Sequence, residues 1–457
     1  MKSITILHTN DIHSHFESFA CAVHQIKKYY RPQTDVLLDA GDFADERSIL
    51  VAGTGGTGAI RLLMAAGYDA MAIGNNEFFQ GYDALKQMAS LGFPMLACNL
   101  HDLHGNDIPG IRPYLLLQRN HLRLLVIGVC PYWDKPGDTT SFTDMSGITV
   151  FNPVDTIRQI LTSLRGRYDR CILLSHAGYD NDILFAETIN GIDAIIGGHS
   201  HTLMKQPEVI NGTWIHQSGC HGEWIGELQL GEAETSGRQI PVGNVKDKEI
   251  LTLIRKEEKA GIANLSTPLY NLAQTLPYDA YRECAAVNAV ADALYQKFPC
   301  DFAMIHSGIL SAPITSPVSQ MSLLQASPSP LNPTSVFWTG KQIKEALIAS
   351  FDDRFIRQYE KWAGFRGTVL GALGVSHNVQ ISKAPFTMTI QGQSLDEKKI
   401  YHVETDDFLF RGSGYTMLKG SRFPEQYAAG YIRDLLREGL RNPELVQIAF
   451  QKRIREH

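Results

Sequence analysis

Along residues 1–235, short apolar runs alternate with stretches whose apolar positions recur every three to four residues. The short runs fall at 4–8, 36–38, 70–73, 95–97, 124–129, 171–174, 194–196 and 214–217, and read as strands. Helical spacing occupies 19–30, 59–66, 84–91 and 153–168 between several of them. Elements in this order imply a layered α/β fold around buried sheet, with polar side chains gathered on loops at strand ends. Residues 52–58, AGTGGTG, are glycine-rich but lack the GxxxxGK(S/T) spacing of a phosphate cradle, and read as a loop.

Composition shifts at 232–243 (EAETSGRQIPVG), which marks a domain edge, and 246–265 is charged with helical spacing, as suits a connector. From 276 a second α/β region begins, with helices predicted over 284–298 and 340–351 and strands over 387–390 and 400–404. Within it 311–333, rich in Ser and Pro, reads as an ordered but irregular excursion over the surface. The expected organisation is a domain over 1–235, a connector with a helix over 236–272 and a smaller α/β domain over 273–457. Length agrees, since 457 residues exceed what one core ordinarily serves.

A formal net charge of −6 with no basic run argues against a nucleic-acid partner. No apolar stretch approaches the ~20 residues that span a bilayer, so no membrane partner is expected. The chain enters a strand-like run at once with no apolar leader, and its seven cysteines (21, 98, 130, 171, 220, 284 and 300) are scattered singly. Both features suit a reducing compartment, and the cytoplasm is the expected location. Oligomeric state is not legible.

Seven oxygen or imidazole donors follow these apolar runs in five segments: Asp11 and His13 (HTNDIHSH), Asp42 (DAGDF), Asn75 (IGNNE), His176 (LLSHAG), and His199 and His201 (GGHSHT). Any one segment alone is more simply a solvated turn or a hydrogen-bonded core histidine. Five in succession, each at the end of an apolar run, match the ligand demand of two ions sharing one carboxylate, for which Asp42 is the natural bridge. Asp11 and His13, two apart, would share a face of a strand and could bind one ion together; His199 and His201 repeat that spacing. The absence of cysteine favours two divalent ions of the Mn, Fe or Zn kind. Such a centre points to cleavage of phosphoester-type bonds, with Asp42 and Asn75 at the chemistry.

These segments together resemble the calcineurin-like metallophosphoesterase superfamily, and their order with the long C-terminal region is similar to its 5′-nucleotidase and UDP-sugar hydrolase branch. The resemblance implies a four-layer αββα catalytic domain followed by a substrate-binding, nucleotide-reading domain. It also implies that Asp11, His13 and His201 hold the first ion and Asn75, His176 and His199 the second, with Asp42 between. The implied substrate is a small phosphorylated molecule, nucleotide-like. A sulfur ester, a cyclic phosphodiester or a retired, merely binding site are the alternatives.

The chain departs from that pattern where the family reads GNHEFD. Here the stretch is GNNEFF, with Asn76 at the histidine position and Phe79 at the aspartate position. An amide can donate a hydrogen bond to a phosphoryl oxygen but carries no proton to give, which favours substrates with good leaving groups. In the C-terminal domain, HSGIL (residues 306–310), PLN (330–332) and DDFLFRGSGY (406–415) stand for the family's nucleotide-reading segments. Phe408 takes the place of one base-stacking aromatic and Leu331 that of the other. Leu310 replaces an arginine and Ser413 the ribose-binding aspartate. Arg411 is a local candidate for an anion contact, and a core aromatic is the plainer reading of Phe408. His15, His216 and His221 are candidates to support the ligands. The spacing of His101, Asp102 and His104 reads as a solvated loop, and Trp133 as surface packing.

Overall fold

The computed structural model describes residues 3–78, 81–132, 147–231, 234–359, 365–424, 426–428 and 430–456. Phe79 and Trp133 lie outside them. The chain divides into two compact units, Met1–Asn264 and Leu265–His457.

The first unit holds two large sheets. The seven-stranded one runs Ser236–Pro241, Trp224–Gly231, Ser3–Thr9, Val36–Asp39, Ala70–Ala72, Met95–Leu96, Ile111–Arg112, and is parallel from Ser3–Thr9 onward. The six-stranded one runs Glu208–Ile210, Thr213–His216, Ala194–Gly197, Arg170–Ser175, Leu122–Val129, Tyr114–Arg119, with a parallel middle and antiparallel edges. Alternation along the strands explains the layering. Ile4, Ile6, Val36, Leu38, Ala70 and Ala72 pack with Val126, Ile172, Leu174, Ala194 and Ile196 in one cluster between the sheets. The intervening Leu7, Leu37, Met71, Leu125, Leu173 and Ile195 join Phe19, Val23, Leu62, Ile157 and Phe185 of the helices. The central strands are thus apolar on both faces, as a sheet covered on both sides requires. Burying one such Leu or Ile stabilises the fold by about 1.5–3 kcal/mol. Parallel strands send their carboxyl ends to one edge, where the following loops collect.

The stretch expected as a connector is divided between the units. Ser236–Pro241 is the outer strand of the seven-stranded sheet. The helix Lys248–Leu265 buries Ile250 and Ile254, one turn apart, and sets Glu257 3.0 Å from Arg61. An i, i+4 apolar pair of this kind needs a core to face, so the helix belongs to the first unit. Residues 52–58 are not a plain loop. They hold the end of helix Ile49–Thr54 and the start of Thr57–Ala66, joined through left-handed Gly55 and Gly56 (φ 56° and 76°). Gly53 lies against the backbone of Gly261, nearer than any Cβ would allow.

The second unit has a five-stranded sheet (Leu373–Val375, Phe302–His306, Ile400–Asp406, Pro333–Thr339, Gln426–Tyr427) and a four-stranded one around Val379–Ser382 and Thr387–Ile390. Helices Ala285–Lys297 and Gly340–Ala349 flank them. The Ser/Pro-rich stretch differs from its expectation. It contains helix Gln320–Ala326, started by a reciprocal Ser319–Ser322 cap, and Leu323, Ala326 and Leu331 are core residues. Among the described residues no helix is long and apolar enough to cross a membrane.

Candidate metal centre

The seven donors follow five parallel strands, three in the first sheet and two in the second, six of them on loops and Asn75 at the start of the helix Asn75–Phe78. Asp11 and His13 do not meet by sharing a strand face, because the strand ends at Thr9. They turn inward through left-handed backbone (φ 53° and 47°), as do Asp42 (51°), His199 (72°) and His201 (53°). Residues with a Cβ pay for that conformation, which persists where the surroundings over-determine it and is typical of functional sites. Here the surroundings are visible. The Asp11 N–H donates to Gly41 O and the His13 N–H to Asp42 O, each at 2.9 Å, stitching the first loop to the second.

Two clusters result. Asp11, His13 and His201 form one, and Asp42, His176 and His199 the other, with the donor atoms of each within 4.8 Å of one another. Asn75 Oδ1 is 3.0 Å from His199 Nδ1, beside the second cluster. Nε2 of His176 stands 3.3 Å from Asp42 Oδ2, and His201 Nε2 3.4 Å from Asp11 Oδ1. Donors about 2.1 Å from a common ion lie roughly 3.0–3.4 Å apart, and these spacings fit the edges of a coordination polyhedron. Asp42 Oδ2 also stands 3.8 Å from His13 Nε2, and so faces both clusters.

The donor set fits divalent cations on a further count. His176 is fully buried, and its Nδ1 lies 2.6 Å from Ala40 O, which accepts its proton. Its Nε2 is thereby left as a lone-pair donor without a hydrogen-bond partner among the described residues, turned toward the carboxylates. Backbone anchoring of one imidazole nitrogen to present the other is how metal-binding histidines are oriented. Burial works against charge on both His176 and Asp42, yet their mutual attraction wins. It raises the imidazole to about 10 and holds the carboxyl well below its usual range. A cation would take the place of that proton.

Side chains that the sequence reading did not single out hold the ligands. Glu77, wholly buried, accepts the N–H groups of Gly74 (2.8 Å), Asp42 and Ala44 (both 3.1 Å). Asn10 donates to Asp11 Oδ2 at 2.8 Å and to Gly219 O at 2.6 Å. Its place in the GNNEF segment, two residues after the donor Asn75, was the available signal for Glu77. Asn76 gives its backbone N–H to Asp42 Oδ1 (2.8 Å) and its side-chain amide to Oδ2 (2.7 Å). The amide expected at a phosphoryl oxygen is here committed to the carboxylate.

The other candidates separate clearly. His221 lies at the first cluster, 5.9 and 6.0 Å ring to ring from His13 and His201, and stacks on His15 at 4.0 Å. His216 is buried and pairs with His8 at 2.9 Å. The stretch expected as a solvated loop is one only in part: His101 and Asp102 lie in the strand Leu100–Asp102, paired with Ile148–Val150. His101 stacks on Phe151 at 5.0 Å, while Asp102 accepts the N–H groups of His104 and Asn106 in the turn that follows. In the second unit Phe408 is fully buried, stacked on His306 at 4.6 Å with Phe365 at 4.8 Å, so its plainer reading as a core aromatic describes its position. Leu310 and Leu331 share that core. Arg411 is part-exposed and pairs with Asp407 at 3.1 Å, while Ser413 is half-buried and its N–H donates to Phe408 O.

Residues 4–203 match the family model of calcineurin-like phosphoesterase, and residues 261–420 that of the 5′-nucleotidase C-terminal domain. An uncharacterized metallophosphoesterase of Bacillus subtilis, YunD, is 27% identical across 95% of this chain and 98% of its own. A 5′-nucleotidase of Diplobatis ommata is 26% identical across 92% of this chain and 84% of that protein. The solved structure of the Haemophilus influenzae NAD nucleotidase shares the fold, with a TM-score of 0.65 at 15% identity over 97% of each chain.

Proposed function

Because the chain belongs to the calcineurin-like metallophosphoesterases that carry a 5′-nucleotidase C-terminal domain, we propose that it is a two-metal hydrolase of nucleotides or related small phosphoesters. The observation that carries this reading is the meeting of Asp11, His13 and His201 beside Asp42, His176 and His199, with Asn75 at the second group. Divalent ions of the Mn, Zn or Fe kind suit these oxygen and imidazole donors. When bound, such a pair supplies Lewis acidity toward a phosphoryl oxygen and makes water a nucleophile near neutral pH. The chain's own part is placement. Asp42 faces both groups, and Asn76 and Glu77 fix its carboxylate and backbone.

Asn76 bears on the substrate. With its amide bound to Asp42 and no proton to give, it cannot assist a basic alkoxide leaving group. Pyrophosphate linkages and activated esters suit such a site better than simple monoesters. The burial of Phe408 supports a second reading, a phosphoester whose recognition does not depend on stacking a base on that ring. Arg411 and Ser413 remain as polar substrate contacts within their unit.

The test is product formation with Mn²⁺: inorganic phosphate from AMP and UMP, UMP with glucose 1-phosphate from UDP-glucose, the linear dinucleotide from cyclic dinucleotides and nitrophenol from a nitrophenyl phosphodiester, with Asp42→Asn alongside. Turnover abolished by Asp42→Asn and faster on UDP-glucose or the aryl ester than on AMP is expected. Equal rates on AMP and UDP-glucose would remove the leaving-group argument. No turnover on any substrate with two ions bound would refute phosphoester hydrolysis.

A further inference from the structure

The turn carrying His199 and His201 rests on three other side chains. Ser200, between the two histidines, donates its hydroxyl proton to Gln217 Oε1 at 2.9 Å. It accepts from Thr202 Oγ1 at 3.0 Å and from the Tyr179 N–H at 3.2 Å. One donor and two acceptors are all a hydroxyl has, so Ser200 is fully engaged. Gln217, wholly buried, donates Nε2 to Asp182 Oδ2 at 3.0 Å, and Asp182 is itself fully buried in the helix Tyr179–Thr188. Asp182 Oδ2 accepts this bond, and so fixes which end of the Gln217 amide faces it. The amide oxygen is therefore turned to Ser200, which must donate. Gly197, at the start of the turn, leaves room for this chain, since a Cβ there would collide with Asp182 Oδ2 and Gln217 Nε2.

We propose that Ser200, held by Gln217 and through it by Asp182, is the positioning residue that aims His199 and His201 and so sets the affinity of both ion sites together. The inference rests on the metal-centre reading above. Its basis is that the two histidines are two residues apart yet belong to different clusters, and both are left-handed (φ 72° and 53°). Such backbone is unfavourable for a residue with a Cβ and persists only where its surroundings impose it. Ser200 lies between the two left-handed residues, and its hydroxyl ties their turn to Gln217. A buried carboxyl two hydrogen bonds away is a costly way to hold a turn for stability alone.

The experiment measures Mn²⁺ stoichiometry and affinity by calorimetry, with the thermal midpoint of the metal-free protein, for wild type, Ser200→Ala, Ser200→Thr and Asp182→Asn with Ser200→Ala. Wild type is expected to bind two ions. Ser200→Ala is expected to weaken both by about 10–100-fold, the usual effect of losing a partner behind a ligand, with the metal-free midpoint within a few degrees. Ser200→Thr restores the hydroxyl and recovers affinity. The double variant binds no worse than Ser200→Ala, because both changes break one chain. Wild-type affinity in Ser200→Ala, or weakening of one ion only, overturns the inference while the metal centre stands. A wild type that binds no ions overturns both.

Discussion

Replacing Glu77 by glutamine tests how the centre is held. Glu77 accepts two N–H groups at one carboxylate oxygen, Gly74 at 2.8 Å and Asp42 at 3.1 Å, and Ala44 at the other, 3.1 Å. Glutamine keeps shape and volume but turns one oxygen into a donor. In its better orientation the amide oxygen keeps the Gly74 and Asp42 bonds, and the nitrogen faces the Ala44 N–H. The Ala44 N–H then loses its acceptor and faces a second donor, costing about 1–3 kcal/mol. The two surviving bonds lose their charge assistance, roughly another 1 kcal/mol. The expected loss is about 2–4 kcal/mol in the unfolding free energy of the metal-free protein, read by urea with the slope checked against wild type. Because one of the two weakened bonds holds the Asp42 backbone, Mn²⁺ affinity should fall about 10–100-fold. Burial, and after it the charge of Asp42, push the Glu77 carboxyl up to about 7, whereas three N–H donors favour the ionised form. A change within about 0.5 kcal/mol with unaltered metal affinity would mean the neutral acid is the working form, and would refute this account.

Three further outcomes follow from packing and charge. Gly74→Ala puts a Cβ into the backbone N and Oδ1 of Asp42, so metal affinity should drop at least tenfold by calorimetry while the fold survives by circular dichroism. Phe408→Ala should cost about 3–5 kcal/mol on denaturant unfolding, as an aromatic removed from a core does. A cost under about 1 kcal/mol with a raised KM would return Phe408 to the substrate. Asp406 is raised to about 7 by burial and N-caps the turn Asp407–Phe410 through Oδ1, while Oδ2 lies 3.5 Å from His306 Nε2. Its folded pKa lies above the unfolded one, so its contribution is present below about pH 4 and lost as pH rises through 7. Asp406→Asn keeps the cap and should gain about 2–4 kcal/mol over wild type at pH 8 and little at pH 4, in urea melts across that range. An equal effect at both ends would show that the carboxyl does not titrate in this window.

Strand cores were legible where a strand is apolar on both faces, as at 36–39 and 194–197, because no other short element carries such a run. Strands Glu208–Ile210 and Ser236–Pro241 were not, since each lies at a sheet edge and carries a mostly solvated side. The helix Lys248–Leu265 was visible, but its allegiance was not. Charge around its surface suggested a connector, and Ile250 and Ile254 decide otherwise by their burial. Residues 320–326 escaped because Ser and Pro around them read as irregular chain, although the Ser319–Ser322 cap was written there.

The donors themselves belong to the sequence: their chemistry and their places after apolar runs are local properties that a linear reading captures. What brings them together is not local. His199 and His201 are two residues apart and part to different clusters, while Asp11 and His201, 190 apart in number, share one. Left-handed backbone at five of the seven aims them, and it is imposed by hydrogen bonds from other loops and by glycines with no room for a Cβ. The same holds for Asn76, Glu77, Asp182 and Phe408, whose partners come from segments far along the chain. Residue type sets what a side chain can do, and only the packed fold sets what it faces.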